Sequence, residues 1–542
     1  MLEAVAEKTN EYIEQMPKKE RKQYGQFFTS LATARFMANM YDFNNLPAEV
    51  KLLDAGVGSG ILACALLERL EQEAAVEKIT VVCYENDEKI LALLRKNLAY
   101  CQQRSKKEVS FEIREANYIL AESVDFNFAN DRAEKYDLVI GNPPYMKIVK
   151  QSAEAVAMPA EAVAMPAVCY GAPNLYFLFA TLGLFNLKQN AELVYIIPRS
   201  WTSGAYFKRF REYFLAEGRL AQVHLFVSRD KVFDKESVLQ ETMIIKMRKM
   251  QQTPATVKMT SSVSGNDFSS VQQLVVPYDV VVNGANLYVY LPTTEQEVKV
   301  LETMQQWHNT LPSLGMKMKT GLTVDFRNYD LLVDEAKDSA VPLFYPQHLK
   351  NGRVEFPVQR EKEDIVTEKA GLLQKNENYL FVKRFTAKEE HRRLQSAIYL
   401  AKNFADYVKI STQNKLNFID GVTIELSECL VYGLYVLFNS TLFDVYYRIL
   451  NGSTQVNSTE INAMPIPNLE DIQSMGRQLM QAQDLSESKC DEILEGYITA
   501  FLDFKTYKKF SDDLAWDTEV WIAEAPDHMI HLNGDRFYGP RN

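Results

Sequence analysis

An α/β fold with a mostly parallel sheet in the first half, followed by a mixed α+β region, is the class this chain predicts. Three observations carry it. From Gln23 to about Arg248 short apolar runs of strand character alternate with helical stretches, as in a parallel sheet covered on both faces. A glycine-rich turn follows the first strand and opens a helix. Beyond a polar stretch from Gln251 to Asp267 the alternation weakens.

In chain order, residues 1–22 read as helix and end in the basic run Lys18-Lys19-Glu20-Arg21-Lys22, a solvated face or a phosphate contact. Lys51 to Ala63 reads as strand, turn and helix, with Asp54 at the strand end and Gly56, Gly58 and Gly60 in the turn. Glycines at alternate positions permit positive φ and close backbone approach to a ligand. Their spacing is not that of the dinucleotide fingerprint, which weakens the case for a nicotinamide cofactor. A second strand, Ile79 to Tyr84, ends in Glu85-Asn86-Asp87, which sets Glu85 to receive ribose hydroxyls.

The strand Tyr136-Asp137-Leu138-Val139-Ile140 runs into Gly141-Asn142-Pro143-Pro144-Tyr145. Ligands of open α/β sheets bind at such strand ends. The Asn142 side-chain oxygen and the Pro143 carbonyl can both accept hydrogen bonds from one NH2 group, drawing its nitrogen toward a tetrahedral, more nucleophilic shape. Tyr145 can then lie flat against the heteroaromatic ring that carries the amine. An isolated Asn-Pro-Pro-Tyr would be a stiff surface turn; the preceding buried strand and the glycine turn favour a site.

Next comes a tandem repeat, residues 153–159 and 160–166, each Ala-Glu-Ala-Val-Ala-Met-Pro. Its prolines exclude a coiled coil despite the heptad length, and it reads as a loop beside the site or a plain spacer. Further strands are expected at 192–198, 221–226 and 242–247. Residues 345–410 concentrate cations, namely Lys350, Arg353, Arg360, Lys375, Lys383, Arg384, Lys388, Arg392 and Arg393. Tyr379, Phe381 and Phe385 lie among them, as core or as contacts to bases and sugars.

Composition bounds the class. The chain has 542 residues, 47% hydrophobic and 24% charged, which suits a globular protein of several domains. No apolar run approaches the ~20 residues of a membrane span, and no leader opens the chain, so a cytoplasmic protein with no membrane partner is expected. The six cysteines are scattered and read as reduced core thiols. His528 and His531 stand without further ligands, and no metal is expected. A net charge of -11 opposes indiscriminate nucleic-acid coating but not a specific DNA enzyme, since one groove's charge is what matters. Asp512, Asp513, Asp517, Glu519, Glu524, Asp527 and Asp535 make the end acidic.

On these motifs the chain resembles the S-adenosylmethionine-dependent DNA N6-adenine methyltransferases of restriction-modification systems, in the motif order where cofactor motifs precede the catalytic one and target recognition follows. The resemblance covers about residues 21–250 and, more faintly, 345–470. It implies a Rossmann-like methyltransferase domain with a mostly parallel seven-stranded sheet. Tyr24, Gln26, Phe28 and Thr29 match the opening cofactor motif; Asp54, Gly56, Gly58 and Gly60 the loop; Glu85, with Asn86 beside it, the ribose acid. Where the family usually has an Asp facing the cofactor adenine, this chain has Asn117, followed by Tyr118. Asn142, Pro143, Pro144 and Tyr145 match the catalytic motif, with Asn142 also at the cofactor, and Phe233 the aromatic on the far face of an extruded adenine. Asn439-Ser440, Asn451-Gly452-Ser453 and Pro465-Ile466-Pro467 resemble the recognition half.

The expected organisation is a helical segment 1–22, a methyltransferase domain 23–250, a DNA target-recognition domain 270–480 and a helical acidic end 481–542. Double-stranded DNA is the expected partner, and a separate cognate restriction endonuclease a further one. Rival readings are methylation of cytosine N4, RNA or protein glutamine, and a bifunctional restriction/modification enzyme, for which Pro277-Tyr278-Asp279 and Glu297-Val298-Lys299 loosely fit a nuclease core. A binding protein that keeps the fold without activity is the third class.

Overall fold

The computed structural model describes residues 1–17, 28–130, 133–146, 165–169, 174–226, 242–334, 339–387, 390–451 and 454–498. Several expectations fall outside them: Tyr24, Gln26, Phe233, the basic run 18–22, the tandem repeat up to 164, Lys388, Gly452, Ser453, the acidic end and the histidine pair. The chain divides into two units, Met1–Glu295 and Gln296 onward.

The first unit is built on strands β1 (Glu49–Ala55), β2 (Lys78–Tyr84), β3 (Glu108–Arg114), β4 (Tyr136–Gly141), β5 (Leu187–Pro198), β6 (Arg219–Phe226), β7 (Thr242–Arg248), β8 (Thr256–Ser262) and β9 (Gln272–Pro277). Their order is β3-β2-β1-β4-β5-β7-β6-β8-β9. The β3 to β5 half is parallel, while β7 runs antiparallel to β5 and β6. Every residue of β4 is buried, as a central strand covered on both faces requires. Helices α1 (Leu2–Gln15), α2 (Leu31–Ala38), α3 (Ile61–Leu70), α4 (Glu88–Arg104), α5 (Tyr118–Asn127), α6 (Leu175–Phe185) and α7 (Lys208–Glu217) accompany the sheet.

The strand order reverses between β1 and β4, so the crevice at their C-terminal ends is the ligand position of such sheets. Register brings the motifs there: Asp54 pairs with Cys83 on one side and Ile140 on the other. Cys64 and Cys101, on α3 and α4, are buried thiols with sulfurs 3.1 Å apart, too far for a disulfide.

Two expectations are corrected. The sheet has nine strands, not seven: β8 pairs parallel to β6 and β9 antiparallel to β8. The polar stretch hides β8 because Thr260, Ser261 and Ser262 are buried hydroxyl residues rather than apolar ones. Two of them flank the buried His224 of β6, whose ring nitrogens lie 3.0 Å from Thr260 Oγ1 and 3.0 Å from Ser262 Oγ. The first unit therefore runs on past 250 to Glu295, and residues 270–295, expected with the recognition region, belong to it.

The second unit is mixed α+β, with a six-stranded and a five-stranded sheet. In the six-stranded sheet Met316–Thr320, Leu416–Gly421, Tyr379–Lys383 and Ser396–Tyr399 are successive antiparallel neighbours. Tyr379 and Phe381 are core; Phe385 is 42% exposed. Helices Glu428–Phe438 and Leu469–Ala482 cross closely at Gly433 and Gly476, where a Cβ would collide with the carbonyls of Ile472 and Cys429 respectively. Among the described residues no single helix is long and apolar enough to cross a membrane.

Candidate functional site

The glycine turn is shaped to lie close to a ligand. Gly56, Gly58 and Gly60 have φ of +69°, +56° and +86°, a region L side chains rarely adopt. Gly56 N and Val57 N donate to the Tyr84 carbonyl at 2.9 and 3.1 Å, tying the turn to the end of β2. There Glu85 accepts from Gly58 N at 2.9 Å with one oxygen and from Asn86 N and Asp87 N, each at 2.9 Å, with the other. Burial raises its pKa, while those backbone donors oppose the shift. Asn86 is exposed beside it.

Asp54 is 1% exposed. Its Oδ2 accepts from Ala63 N at 3.1 Å, and its Oδ1 meets no donor among the described residues. Burial, with Glu85 nearby, pushes its pKa well up. A ligand with an ammonium group and ribose hydroxyls would answer both carboxylates, so these residues fit the cofactor that the motif resemblance implies.

Asn117 caps α5, accepting from Leu120 N at 3.2 Å. One lone pair of the oxygen expected to face the cofactor adenine is thus already engaged. Tyr118 is buried, its ring 4.9 Å from Tyr84 and 5.3 Å from Phe179, and Phe179 lies 3.3 Å from where a Cβ on Gly56 would stand. It underlies the turn rather than lining an open pocket.

At the end of β4, Asn142 is half-buried, Pro143 buried, Pro144 half-buried and Tyr145 buried. Asn142 Nδ2 donates to Thr29 Oγ1 at 3.1 Å, which joins the two stretches that the sequence assigns to the cofactor and to catalysis. The Tyr145 hydroxyl lies 2.8 Å from Asn142 Oδ1 and 3.0 Å from the Ile196 carbonyl of β5. Burial raises the pKa of this phenol well above its usual value, so it stays a neutral donor. Its ring meets Tyr176 edge-on at 6.5 Å. Sequence reading expects Tyr145 to stack on a base; the structure shows its hydroxyl bracing the Asn142 amide. Phe28 packs edge-on to Tyr12 at 6.2 Å.

Three supporting residues escape sequence reading. Ser30 Oγ and Thr33 Oγ1 donate to the Gly265 carbonyl, in the turn between β8 and β9, at 3.0 and 2.6 Å. Ser30 also caps α2 by accepting from Thr33 N at 3.2 Å, and a serine before an apolar run is the one local signal available. The additional strands thus hold the residue next to Thr29. At the other end of the central strands, where β4 and β5 begin, a polar hollow is closed by ion pairs, Lys188 with Asp137 at 2.8 Å and Arg248 with Glu192 at 2.6 Å, and reads as a seam.

A family model described as Eco57I restriction-modification methylase matches residues 68–233, and one described as BsuBI/PstI restriction endonuclease domain matches residues 476–535. The chain is 34% identical over 483 residues to the Type II methyltransferase M.PstI of Providencia stuartii, covering 88% of this chain and 92% of the relative. It is 32% identical over 490 residues to the Type II methyltransferase M.BsuBI of Bacillus subtilis, covering 88% and 95%. A stretch of 44 residues is 48% identical to the Type II restriction enzyme BsuBI of Bacillus subtilis, 8% of this chain and 14% of that enzyme.

Proposed function

The chain belongs to the Type II DNA methyltransferases of restriction-modification systems, with S-adenosylmethionine as cofactor, and from that premise we propose that it methylates the N6 amine of an adenine turned out of duplex DNA. The observation that supports adenine N6 is the Asn142–Pro143 turn at the end of β4, fixed by Thr29 and Tyr145. It offers neutral acceptors and no nucleophile, as direct displacement by an amine needs.

When bound, S-adenosylmethionine supplies an electrophilic methyl on a sulfonium. Glu85, Asp54, the backbone of Gly56 to Gly60, Asn117 and Thr29 would hold it. Asn142 Oδ1, which receives the Tyr145 hydroxyl, and the Pro143 carbonyl are the acceptors that would take the adenine NH2. Held by these two acceptors, the amine nitrogen would face the methyl that the bound cofactor supplies, and the proton released on transfer would pass to solvent. Turning the base out costs a few kcal/mol, about what stacking and hydrogen bonds return. Tyr145 and Phe233 are the proposed stacking pair.

Mass spectrometry of nucleosides after incubation with DNA and labelled cofactor is the test. N6-methyladenine is expected, lost in Asn142→Ala with cofactor affinity kept. N4-methylcytosine, or label only in RNA or protein, sinks the reading.

A second reading has a specific observation behind it: the endonuclease-domain match at residues 476–535 supports a chain linked to restriction as well as modification. That match does not touch the Asp279 and Glu297 segments of the sequence-based nuclease reading. Among the described residues no group of three or more His, Cys, Asp or Glu could hold a metal. Magnesium-dependent cleavage of unmethylated DNA by the purified chain would establish this reading, and intact DNA would end it.

A further inference from the structure

The cation-rich segment of the second unit sorts itself by partners. Lys350, Lys375 and Arg392 are answered by Glu355, Glu377 and Glu487 at 3.6, 3.6 and 3.5 Å. Arg393 is fully buried. Arg353 and Arg360 lie over the rings of Tyr432 and Tyr345. Lys362 and Lys402 are answered by Asp334 and Glu428 at 3.3 and 2.6 Å. Lys383 and Arg384, adjacent in the chain, meet no carboxylate among the described residues. Lys415, likewise without one, is brought beside them because Arg384 N donates to the Lys415 carbonyl at 2.9 Å.

Phe385, 42% exposed, follows Lys383 and Arg384 directly in the chain, and Lys415 is tied to the same place by that hydrogen bond. Three loops converge there at one end of the six-stranded sheet: Val456 N donates to the Arg384 carbonyl at 2.7 Å, and Phe385 bridges Gln455. The Arg384 guanidinium is steadied, not neutralised, by the Asn414 carbonyl at 3.0 Å and Gln455 Oε1 at 3.5 Å, and sits 5.4 Å from the Phe385 ring. A guanidinium has five donors, so most stay available. Acids near this end are engaged by neutral donors: Asp325 receives the Gln413 amide at 3.3 Å, and Glu390 accepts from Ala387 N at 2.6 Å and from the Gln395 amide.

Uncompensated cations on a chain whose formal charge is -11 mark a local field, and a half-exposed aromatic inside that field suits a polyanion with flat rings and sugars. We propose that this sheet end is a duplex-DNA contact surface of the enzyme, with Lys383, Arg384 and Lys415 on backbone phosphates and Phe385 packed on a sugar or base. It rests on the reading that the substrate is DNA.

The test is fluorescence anisotropy of the full chain with a labelled duplex, titrated with salt. Each phosphate contact contributes about 0.9 to the slope of log K against log salt. Lys415→Gln, an exposed change that spares the fold, should lower the slope by about one, and the triple change with Lys383→Gln and Arg384→Gln by about three. Phe385→Ala should weaken binding about ten-fold with the slope kept. Lys375→Gln, a paired cation, is the control and leaves the slope alone. A wild-type slope in a folded triple variant overturns the surface while leaving the methylation reading intact. A wild-type protein that binds no DNA overturns both.

Discussion

Tyr145 Oη lies 2.8 Å from Asn142 Oδ1 and 3.0 Å from the Ile196 carbonyl, so one phenol spans the turn proposed as catalytic and the neighbouring strand β5. Tyr145→Phe keeps the ring and removes the brace. A hydrogen bond contributes about 0.5–1.5 kcal/mol, so kcat should fall up to about ten-fold. KM for S-adenosylmethionine should hold. An unchanged kcat would show that Asn142 needs no brace.

The glycine turn separates backbone conformation from space. A Cβ on Gly58 would meet only Ile90 Cδ1, at 3.9 Å, so Gly58→Ala pays for its φ of +56° alone, about 1–2 kcal/mol. Gly60→Ala adds contacts at 3.1 Å to Leu94 and 3.2 Å to Leu98 at a φ of +86°. Melting temperatures should fall in the order wild type, Gly58→Ala, Gly60→Ala. Calorimetry should find cofactor binding weakened in both.

Thr33 links the turn between β8 and β9 to the site through its neighbour Ser30 and then Thr29. Thr33→Val removes one of two donors to the Gly265 carbonyl, which keeps Ser30 Oγ, at the cost of about 0.5–1.5 kcal/mol of stability. As a positioning residue it should also lower kcat several-fold at unchanged cofactor affinity, and Thr33→Ser should restore it. Loss of stability with an unaltered kcat would confine it to the fold.

This chain of contacts shows what the sequence can and cannot carry. The end of β4, the glycine turn and Glu85 are legible because each is local: a continuous apolar run, alternate glycines, an acid at a strand end. The Thr29–Asn142 bond joins residues 113 apart, and the Gly265 contacts span 232 and 235, so no window of sequence contains them. β8 is missed for a different reason. Val257 and Met259 are its only buried apolar residues; its second half, Thr260 to Ser262, is buried but polar, with His224 between two of the hydroxyls, so apolar periodicity marks the strand weakly.

His224 makes stability depend on pH. Burial pushes its pKa down from 6.5 to about 3. The unfolded chain takes up a proton below 6.5 and the folded one does not until about 3, so stability is full above that window and lost as pH falls through it. The slope is at most about 1.4 kcal/mol per pH unit. Urea midpoints should drop between about pH 6.5 and pH 5 by an amount equal to about 2 kcal/mol from this site. His224→Gln should be less stable at neutral pH and flatter across the window; parallel curves would mean that other groups govern the acid response.

Gly433 and Gly476 carry the helix crossing of the second unit, and nothing in the apolar run from Cys429 to Phe438 announces it. A Cβ on Gly476 would strike the Cys429 carbonyl and lie 2.7 Å from Gly433 N, both backbone atoms that no rotamer change can move away. Gly476→Ala must therefore push the helices apart and open contacts around Ile472, Met475 and Leu479, all fully buried. Overpacking of this kind costs about 1–3 kcal/mol. The second unit should melt earlier. Because the proposed cofactor residues all lie in the first unit, S-adenosylmethionine affinity should stay at the wild-type level while DNA binding falls. Equal loss of both would show that the two units unfold as one.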